Sequence, residues 1–288
     1  MNNILITGAN GLLGSSLCRL FDKSNVFCYC KNELDITNRK QLLDIFKEVK
    51  PDIVIHAAAN TNVEKCEIDA ENAYRTNVMG TQNLVDSSII NNALFVYISS
   101  TGVYGDYKHI GGYSEFDDVR PCTVHHATKL NGERVVSSHL SSFLIIRTGW
   151  LYGGNNACND YVKARYEDAL NSSQIYSDNS QIGNPTNIDD LSKQIMYLID
   201  NGFHGTFNCV NEAFGVSRFD YTKLIVESYG LPCKVIPAKK GVFNRIAPVS
   251  ANESAVNYKL NLLNINVMRP WDVALKDYID NLKKTQQP

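Results

Sequence analysis

Three glycines near the start of the chain, Gly8, Gly11 and Gly14, have a spacing with chemical meaning. They follow the apolar run Ile4-Leu5-Ile6 and precede a helical pattern that runs through Leu17 to about Phe21, so they join a buried strand to a helix. At this spacing the first glycine permits a tight turn, the second lets backbone N–H groups approach a pyrophosphate, and the third lets helix and strand pack closely. The partial positive charge of the helix N-terminus favours the same anion. Gly8, Asn10, Gly11, Leu12 and Gly14 are therefore the candidate phosphate cradle. A tight β–α turn that holds no ligand is the plainer alternative.

The next strand, Val26 to Cys30, ends where a dinucleotide site would place an acidic residue against the adenosine ribose. Lys31 stands there instead. A cation suits a 2′-phosphate, so NADP is favoured, with NAD as the alternative; a solvated loop lysine is the other reading. Asp35 has the right separation from the glycines, yet it also lies just ahead of a helix from Asn38 to Val49, so helix entry explains it equally well. A third strand from Ile53 ends in Ala57-Ala58-Ala59, small side chains that let a cofactor lie across the sheet edge. A helix from about Ala70 to Asn91 carries Asn77, and a fourth strand from Leu94 ends in the hydroxyls of Ser99 and Ser100.

Strand and helix patterns alternate to this point and continue with a helical segment from Val124 and a strand from Phe143 to Arg147. That alternation predicts an α/β fold, a Rossmann-like doubly wound parallel sheet. Beyond Arg147 the strict alternation is lost. Helices are expected over Ile188 to Asp200, Phe219 to Tyr229 and Trp271 to Leu282, with a strand near Thr206 to Cys209 and a loose tail from Lys283. Residues 1–150, with a returning segment near 187–210, form the expected nucleotide domain; the remainder of 151–288 forms a smaller substrate-binding lobe.

The 288 residues are 44% hydrophobic and 20% charged, with a formal net charge of −2. That balance, without a Lys/Arg block, argues against nucleic acid or an anionic membrane as partner. No apolar run approaches the roughly 18 residues of a membrane span, and the chain enters its first strand after three residues, so no signal peptide is expected. The eight cysteines, Cys18, Cys28, Cys30, Cys66, Cys122, Cys158, Cys209 and Cys233, are scattered without zinc spacing. They are expected to be free thiols in a reducing cytoplasm, with no disulfide and no metal.

Taken in order, the motifs resemble those of the extended short-chain dehydrogenase/reductases, and within them the dTDP-4-dehydrorhamnose reductase family. The resemblance rests on the Gly8/Gly11/Gly14 turn, Glu33-Leu34-Asp35-Ile36-Thr37, Pro51 to Ala59, and Asn77-Val78. It extends through Ser99-Ser100 before Val103-Tyr104-Gly105, Thr128-Lys129-Leu130, Arg147-Thr148-Gly149-Trp150-Leu151-Tyr152-Gly153, and Gln181 to Thr186. It implies NADP(H)-dependent reduction of a nucleotide-linked 4-keto-6-deoxysugar. Ser100 would polarise the ketone, Lys129 would hold the nicotinamide ribose, and Ile36 and Asn77 would join the cofactor site. Thr101, Trp150, Gln181 and Thr186 would face the sugar nucleotide. A homodimer is an option the sequence leaves open.

The resemblance breaks at the position four residues before Lys129, where the family has a tyrosine and this chain has His125. Four residues is one helical turn, so both side chains share a face. A neighbouring cation disfavours the imidazolium, which makes His125 largely neutral near pH 7. The ring also ends roughly 2 Å short of where a phenol would sit, and errors of even about 1 Å are costly in positioned catalysis. His125 standing in for the phenol, with Tyr104 or His126 as other proton sources, is the enzyme reading. A non-catalytic NADP-binding regulatory subunit and a nucleotide-sugar epimerase are the alternatives. Two further departures lie on the substrate side: Gly154 to Asn159 lacks the family's phenylalanine, and Ala247-Pro248 replaces an Arg-Pro.

Overall fold

The structure, a computed structural model, describes residues 2–21, 25–107, 111–154, 160–238 and 242–286. Its first half alternates strand and helix: β1 (Ile4–Thr7), α1 (Leu12–Leu20), β2 (Val26–Tyr29), α2 (Arg39–Val49) and β3 (Ile53–His56). Next come α3 (Val63–Ile68), α4 (Ala70–Tyr74), a π-helical turn (Arg75–Met79), α5 (Gly80–Asn91) and β4 (Leu94–Ser100). A 3₁₀ turn (Thr101–Tyr104) leads to α6 (Val124–His139) and β5 (Phe143–Thr148). Helix starts follow local chemistry: Asn38 caps α2 by accepting from the Gln41 N–H, and Thr123 caps α6 by accepting from the His126 N–H.

The second half supplies β6 (Trp150–Tyr152), α7 (Tyr161–Leu170), β7 (Gln174–Asp178), β8 (Ile182–Gly183), β9 (Pro185–Asn187), α8 (Ile188–Asp200) and β10 (Gly205–Asn208). It ends with β11 (Val216–Ser217), α9 (Arg218–Tyr229), β12 (Lys234–Ala238), α10 (Tyr258–Leu262) and α11 (Trp271–Gln286). The six strands of the main sheet run in the order β10-β5-β4-β3-β1-β2, all parallel.

Alternate residues of each strand feed opposite faces. Ile4, Ile6, Ile53, Ile55, Val96 and Ile98 pack against Leu13 and Leu17 of α1 and Leu191, Ile195 and Leu198 of α8. Leu5, Val54, Phe95, Tyr97 and Ile145 pack against Leu42 and Phe46 of α2, Leu84 and Val85 of α5, and Val136 of α6. Burial on both faces is what a parallel sheet requires, and it bears out the doubly wound expectation. The chain leaves β1 for β2 on one side and returns to β3 on the other. That reversal opens a crevice at the carboxyl ends of the strands, the place where open α/β sheets bind ligands. The segment 188–208 rejoins the main sheet as α8 and β10, while a separate aromatic core (Tyr152, Tyr221 and Tyr278 with Val162, Ile225 and Ile279) gathers residues of β6, α7, α9 and α11.

Several expectations change. The helix expected over 70–91 is interrupted by the π turn, which periodicity cannot register, and the polar stretch before it folds into α3. Strands β7 and β12, which pair in parallel, and helices α7 and α10 were not visible as patterns. The tail is helical to Gln286, because Leu282 packs into the aromatic core. Cys18 of α1 and Cys28 of β2 form a disulfide with Cα atoms 6.3 Å apart, which corrects the expectation of free thiols throughout. Both side chains face the same core layer, a proximity that scattered spacing conceals. Cys30, Cys66, Cys122, Cys209 and Cys233 are free, and Cys158 lies outside the described residues, as do residues 155–159 of the departing motif. Among the described residues no helix is long and apolar enough to cross a membrane, and no cluster of His, Cys, Asp and Glu could hold a metal ion.

Candidate active site

A cleft of about 820 Å³ runs along the carboxyl ends of β1, β3 and β4 and on to β6. At its floor the glycine turn has no room for side chains. Gly8 has φ +71°, and a Cβ there would lie 2.7 Å from the Ala58 nitrogen. A Cβ on Gly14 would lie 2.1 Å from the Gly8 carbonyl oxygen, so the helix and the turn touch through backbone alone. Helix α1 begins at Gly11 with no side-chain cap and no acidic residue in its first turn. Its first N–H groups and its dipole are thus left to an anion in the cleft. Gly8, Gly11, Leu12, Gly14 and the three alanines line this part of the cleft; Asn10 is exposed beside it and does not.

At the β2 end, Lys31, Asp35 and Ile36 line the wall as expected. The Asp35 carboxylate accepts from the Thr37 N–H (2.9 Å) and hydroxyl (2.8 Å), and these bonds, the backbone one first, hold it below the ordinary carboxylate range. Asp35 therefore stitches the turn that precedes α2, while Asn38 does the capping. Arg75, which the sequence reading missed, projects from the π turn into the same wall. Lys31 and Arg75 both act electrostatically on Asp35, so two exposed cations converge where only one was anticipated. A π turn is a frequent device for such placement.

The part of the cleft that holds Ser100, His125 and Lys129 is assembled from β4 and α6. The Ser100 oxygen accepts from the Gly102 N–H at 3.2 Å, which fixes the oxygen and leaves its hydrogen for a ligand. His125 and Lys129 line the cleft one helical turn apart. The Lys129 ammonium sits 4.2 Å from the centre of the Tyr97 ring and is buried, which pulls it down to about 7 while Glu133 pulls the other way. His125 is pushed down to about 3, by burial first and then by His126 and Lys129, so it is neutral as expected. Its Nδ1 donates to the Asn60 carbonyl at 3.1 Å. His126, pushed down to about 4 by burial, packs over Gly102, where a Cβ would lie 2.1 Å from the ring.

Two expected residues take supporting places. Asn77 does not line the cleft: its oxygen accepts from the Asn60 N–H at 2.7 Å, and its amide donates to the Asn60 carbonyl (3.0 Å) and the Thr128 hydroxyl (2.9 Å). It clamps the strand end to α6. Tyr104 is fully buried, donates to Asn208 at 2.8 Å and accepts from Arg147 at 3.1 Å; burial pushes its phenol up to about 12. It is thus no proton source for the cleft.

On the far side, Trp150 and Gln181 line the cleft together with Arg245, which lies two residues before Ala247-Pro248, and with Arg218 and Glu253, two charged residues not singled out from sequence. The Trp150 indole donates to Glu253 at 2.8 Å, packs on Gly183, and carries the Arg218 guanidinium 3.5 Å from its centre. The Gln181 side-chain carbonyl and the Thr148 hydroxyl, both on residues that line the cleft, are buried and have no hydrogen-bond partner among the described residues. Thr186 and Thr101 are buried away from the cleft, and Thr186 donates to the Asn184 carbonyl at 3.0 Å.

A doubly wound sheet with a glycine cradle, a strand-end serine and a cleft lysine on the following helix defines a dinucleotide-dependent dehydrogenase/reductase scaffold. The profile of the RmlD substrate binding domain family matches residues 1–284. The dTDP-4-dehydrorhamnose reductase of Aggregatibacter actinomycetemcomitans is 34% identical over 205 residues, covering 69% of this chain and 68% of that protein. The solved structure of a dTDP-4-dehydrorhamnose reductase from Clostridium acetobutylicum superimposes with a TM-score of 0.92 at 34% identity, covering 97% of this chain and 99% of that one. The enzyme of the same name from Bacillus anthracis, solved in complex with NADP, has a TM-score of 0.92 at 30% identity over the same shares. The chain belongs to the dTDP-4-dehydrorhamnose reductase family.

Proposed function

We propose that the protein reduces the 4-keto group of a dTDP-linked 6-deoxysugar, dTDP-4-dehydrorhamnose being the first candidate, with NADPH as reductant. The observation that carries this reading is the convergence of Ser100, Lys129 and the glycine cradle on one cleft. The cradle fits a pyrophosphate because glycine alone fits at Gly8 and Gly14 and because the N-terminus of α1 is uncapped. Lys31 and Arg75 suit the extra phosphate of NADP over NAD. When bound, the cofactor supplies a hydride. The Ser100 oxygen is anchored by Gly102, so its O–H donates to the ketone and stabilises the negative charge that grows there. Lys129, with its head sunk beside Tyr97, adds a donor at the same end of the cleft. Arg218 and Arg245 offer positive charge to the diphosphate of the sugar nucleotide, and Gln181 and Thr148 offer unpaired polar atoms to the sugar. In this reading the main-sheet domain, residues 1–150 with 187–210, holds the cofactor and the remaining lobe holds the sugar.

The test is NADPH oxidation with dTDP-4-keto-6-deoxyglucose and the epimerase that makes the rhamnose precursor, for wild type and His125→Tyr. Wild-type turnover supports a working reductase. Turnover confined to the tyrosine variant makes the natural protein a binder on an enzyme scaffold.

A further inference from the structure

The group that protonates the substrate oxygen must present a transferable hydrogen to the cleft, and the walls offer few. His126, which lines the cleft with Nδ1 3.1 Å from the Thr123 hydroxyl, is held neutral by burial, and a neutral imidazole is a poor acid. Tyr104, in the turn after β4, is fully buried with its O–H committed to Asn208. The single hydrogen of Ser100 serves the ketone. His125 stands where the phenol was expected, but its hydrogen is committed as well. Nδ1 lies 3.1 Å from the Asn60 oxygen, and a carbonyl can only accept, so the ring hydrogen is on Nδ1. A neutral imidazole of that tautomer has a bare lone pair on Nε2. The anchor is itself held. Asn77 bonds both backbone groups of Asn60, and the Thr128 hydroxyl that Asn77 also contacts donates to the His125 carbonyl at 2.7 Å. The frame therefore fixes the tautomer.

We infer, on the reductase reading above, that His125 is a hydrogen-bond acceptor in this site and that Lys129 is the proton donor to the substrate oxygen. As the carbonyl carbon receives the hydride pair from NADPH, the C=O π pair moves to oxygen. One N–H bond of the Lys129 ammonium breaks and an O–H bond forms, leaving a neutral amine that water reprotonates. The groups facing Lys129 allow this. Tyr97 of β4 lies beneath it, and His56 of β3 is bound on both ring nitrogens by Thr7 and Thr81. His125 and His126 precede it on α6. Glu133, one turn on, is the one carboxylate among them, and it is occupied by Arg147 (2.7 and 3.0 Å) and Ser99 (2.5 Å). With that carboxylate engaged, burial dominates and brings the ammonium down to about 7, a value matched to proton transfer at neutral pH.

The test starts on the cofactor-free protein labelled with ¹⁵N-histidine and ¹³C,¹⁵N-lysine. Between pH 8 and 5 the expected result is Nδ1 protonated and Nε2 bare at His125, with one lysine head, absent in Lys129→Arg, titrating near 7. A protonated Nε2, or a Lys129 head that titrates above 9, overturns the inference. In turnover, kcat should fall about tenfold per pH unit above the Lys129 midpoint. That limb should survive in a slowed His125→Phe. Lys129→Arg should lose it with about 10²–10⁴-fold of the rate, while still binding NADPH by calorimetry. A limb that vanishes in His125→Phe overturns the donor assignment. If wild type oxidises no NADPH with the keto sugar while the spectra come out as stated, the reductase reading fails and the donor role falls with it. A protonated Nε2 with full turnover defeats only this inference.

Discussion

Asn77→Ala separates a residue that touches cofactor from one that positions the residues around it. The side chain is buried and makes three hydrogen bonds, two with Asn60 and one with Thr128. Each is worth about 1 kcal/mol net, and the Asn60 N–H would be left without its acceptor, so the loss should be about 2–4 kcal/mol of unfolding free energy. Asn77→Asp should cost at least as much, because it removes both donations and leaves a carboxylate facing the Asn60 carbonyl. Urea unfolding with NADPH titration of the folded variant is the assay. Stability should fall by the stated amount, and NADPH affinity should weaken less than tenfold. Unchanged stability with a larger drop in affinity would refute the clamp and make Asn77 a direct cofactor ligand.

Gly14→Ala should abolish NADPH binding, because the new methyl would sit 2.1 Å from the Gly8 oxygen, and calorimetry reads the loss directly. Lys31→Ala and Arg75→Ala should each weaken NADPH about tenfold and leave NADH nearly unchanged, so the ratio of the two dissociation constants should approach one in the double variant. His56, His125 and His126 are held below their ordinary range by burial, the last two at about 3 and about 4. The unfolded chain therefore takes up protons first as pH falls through 6.5, and stability drops toward the lower folded values. Each histidine should cost about 1 kcal/mol between pH 7 and 5.5, read as a lower urea midpoint at the acid end.

The sheet domain was legible because local signals agree there. Ile4-Leu5-Ile6, Ile53-Val54-Ile55 and Phe95-Val96-Tyr97 are short apolar runs bounded by glycine, proline or polar residues, and each became a strand of the main sheet. The glycine turn was legible for the same reason, since close backbone approach at Gly8 and Gly14 is written in the glycine spacing. What escaped depends on contacts distant in sequence. Arg75 lines the cleft from a π turn, a feature that side-chain periodicity does not register. Arg218 and Glu253 meet across Trp150 from segments that carry no motif. The Cys18–Cys28 bridge follows from α1 and β2 sharing one core layer. His125 lines the cleft one turn from Lys129, as the spacing implied. Its neutrality, however, comes first from burial, not from the Lys129 charge that the sequence reading invoked, and the carbonyl facing its Nδ1 is that of Asn60, 65 residues earlier. Tertiary structure alone could show that.

The most direct test of the account follows the hydride itself. Wild-type protein is incubated with NADPH carrying deuterium on the transferable face of its nicotinamide and with dTDP-4-dehydrorhamnose, and the sugar is examined by NMR and mass spectrometry. The account predicts one deuterium at sugar C4 and a matching amount of NADP. Saturating NADPH with no label in the sugar would contradict it.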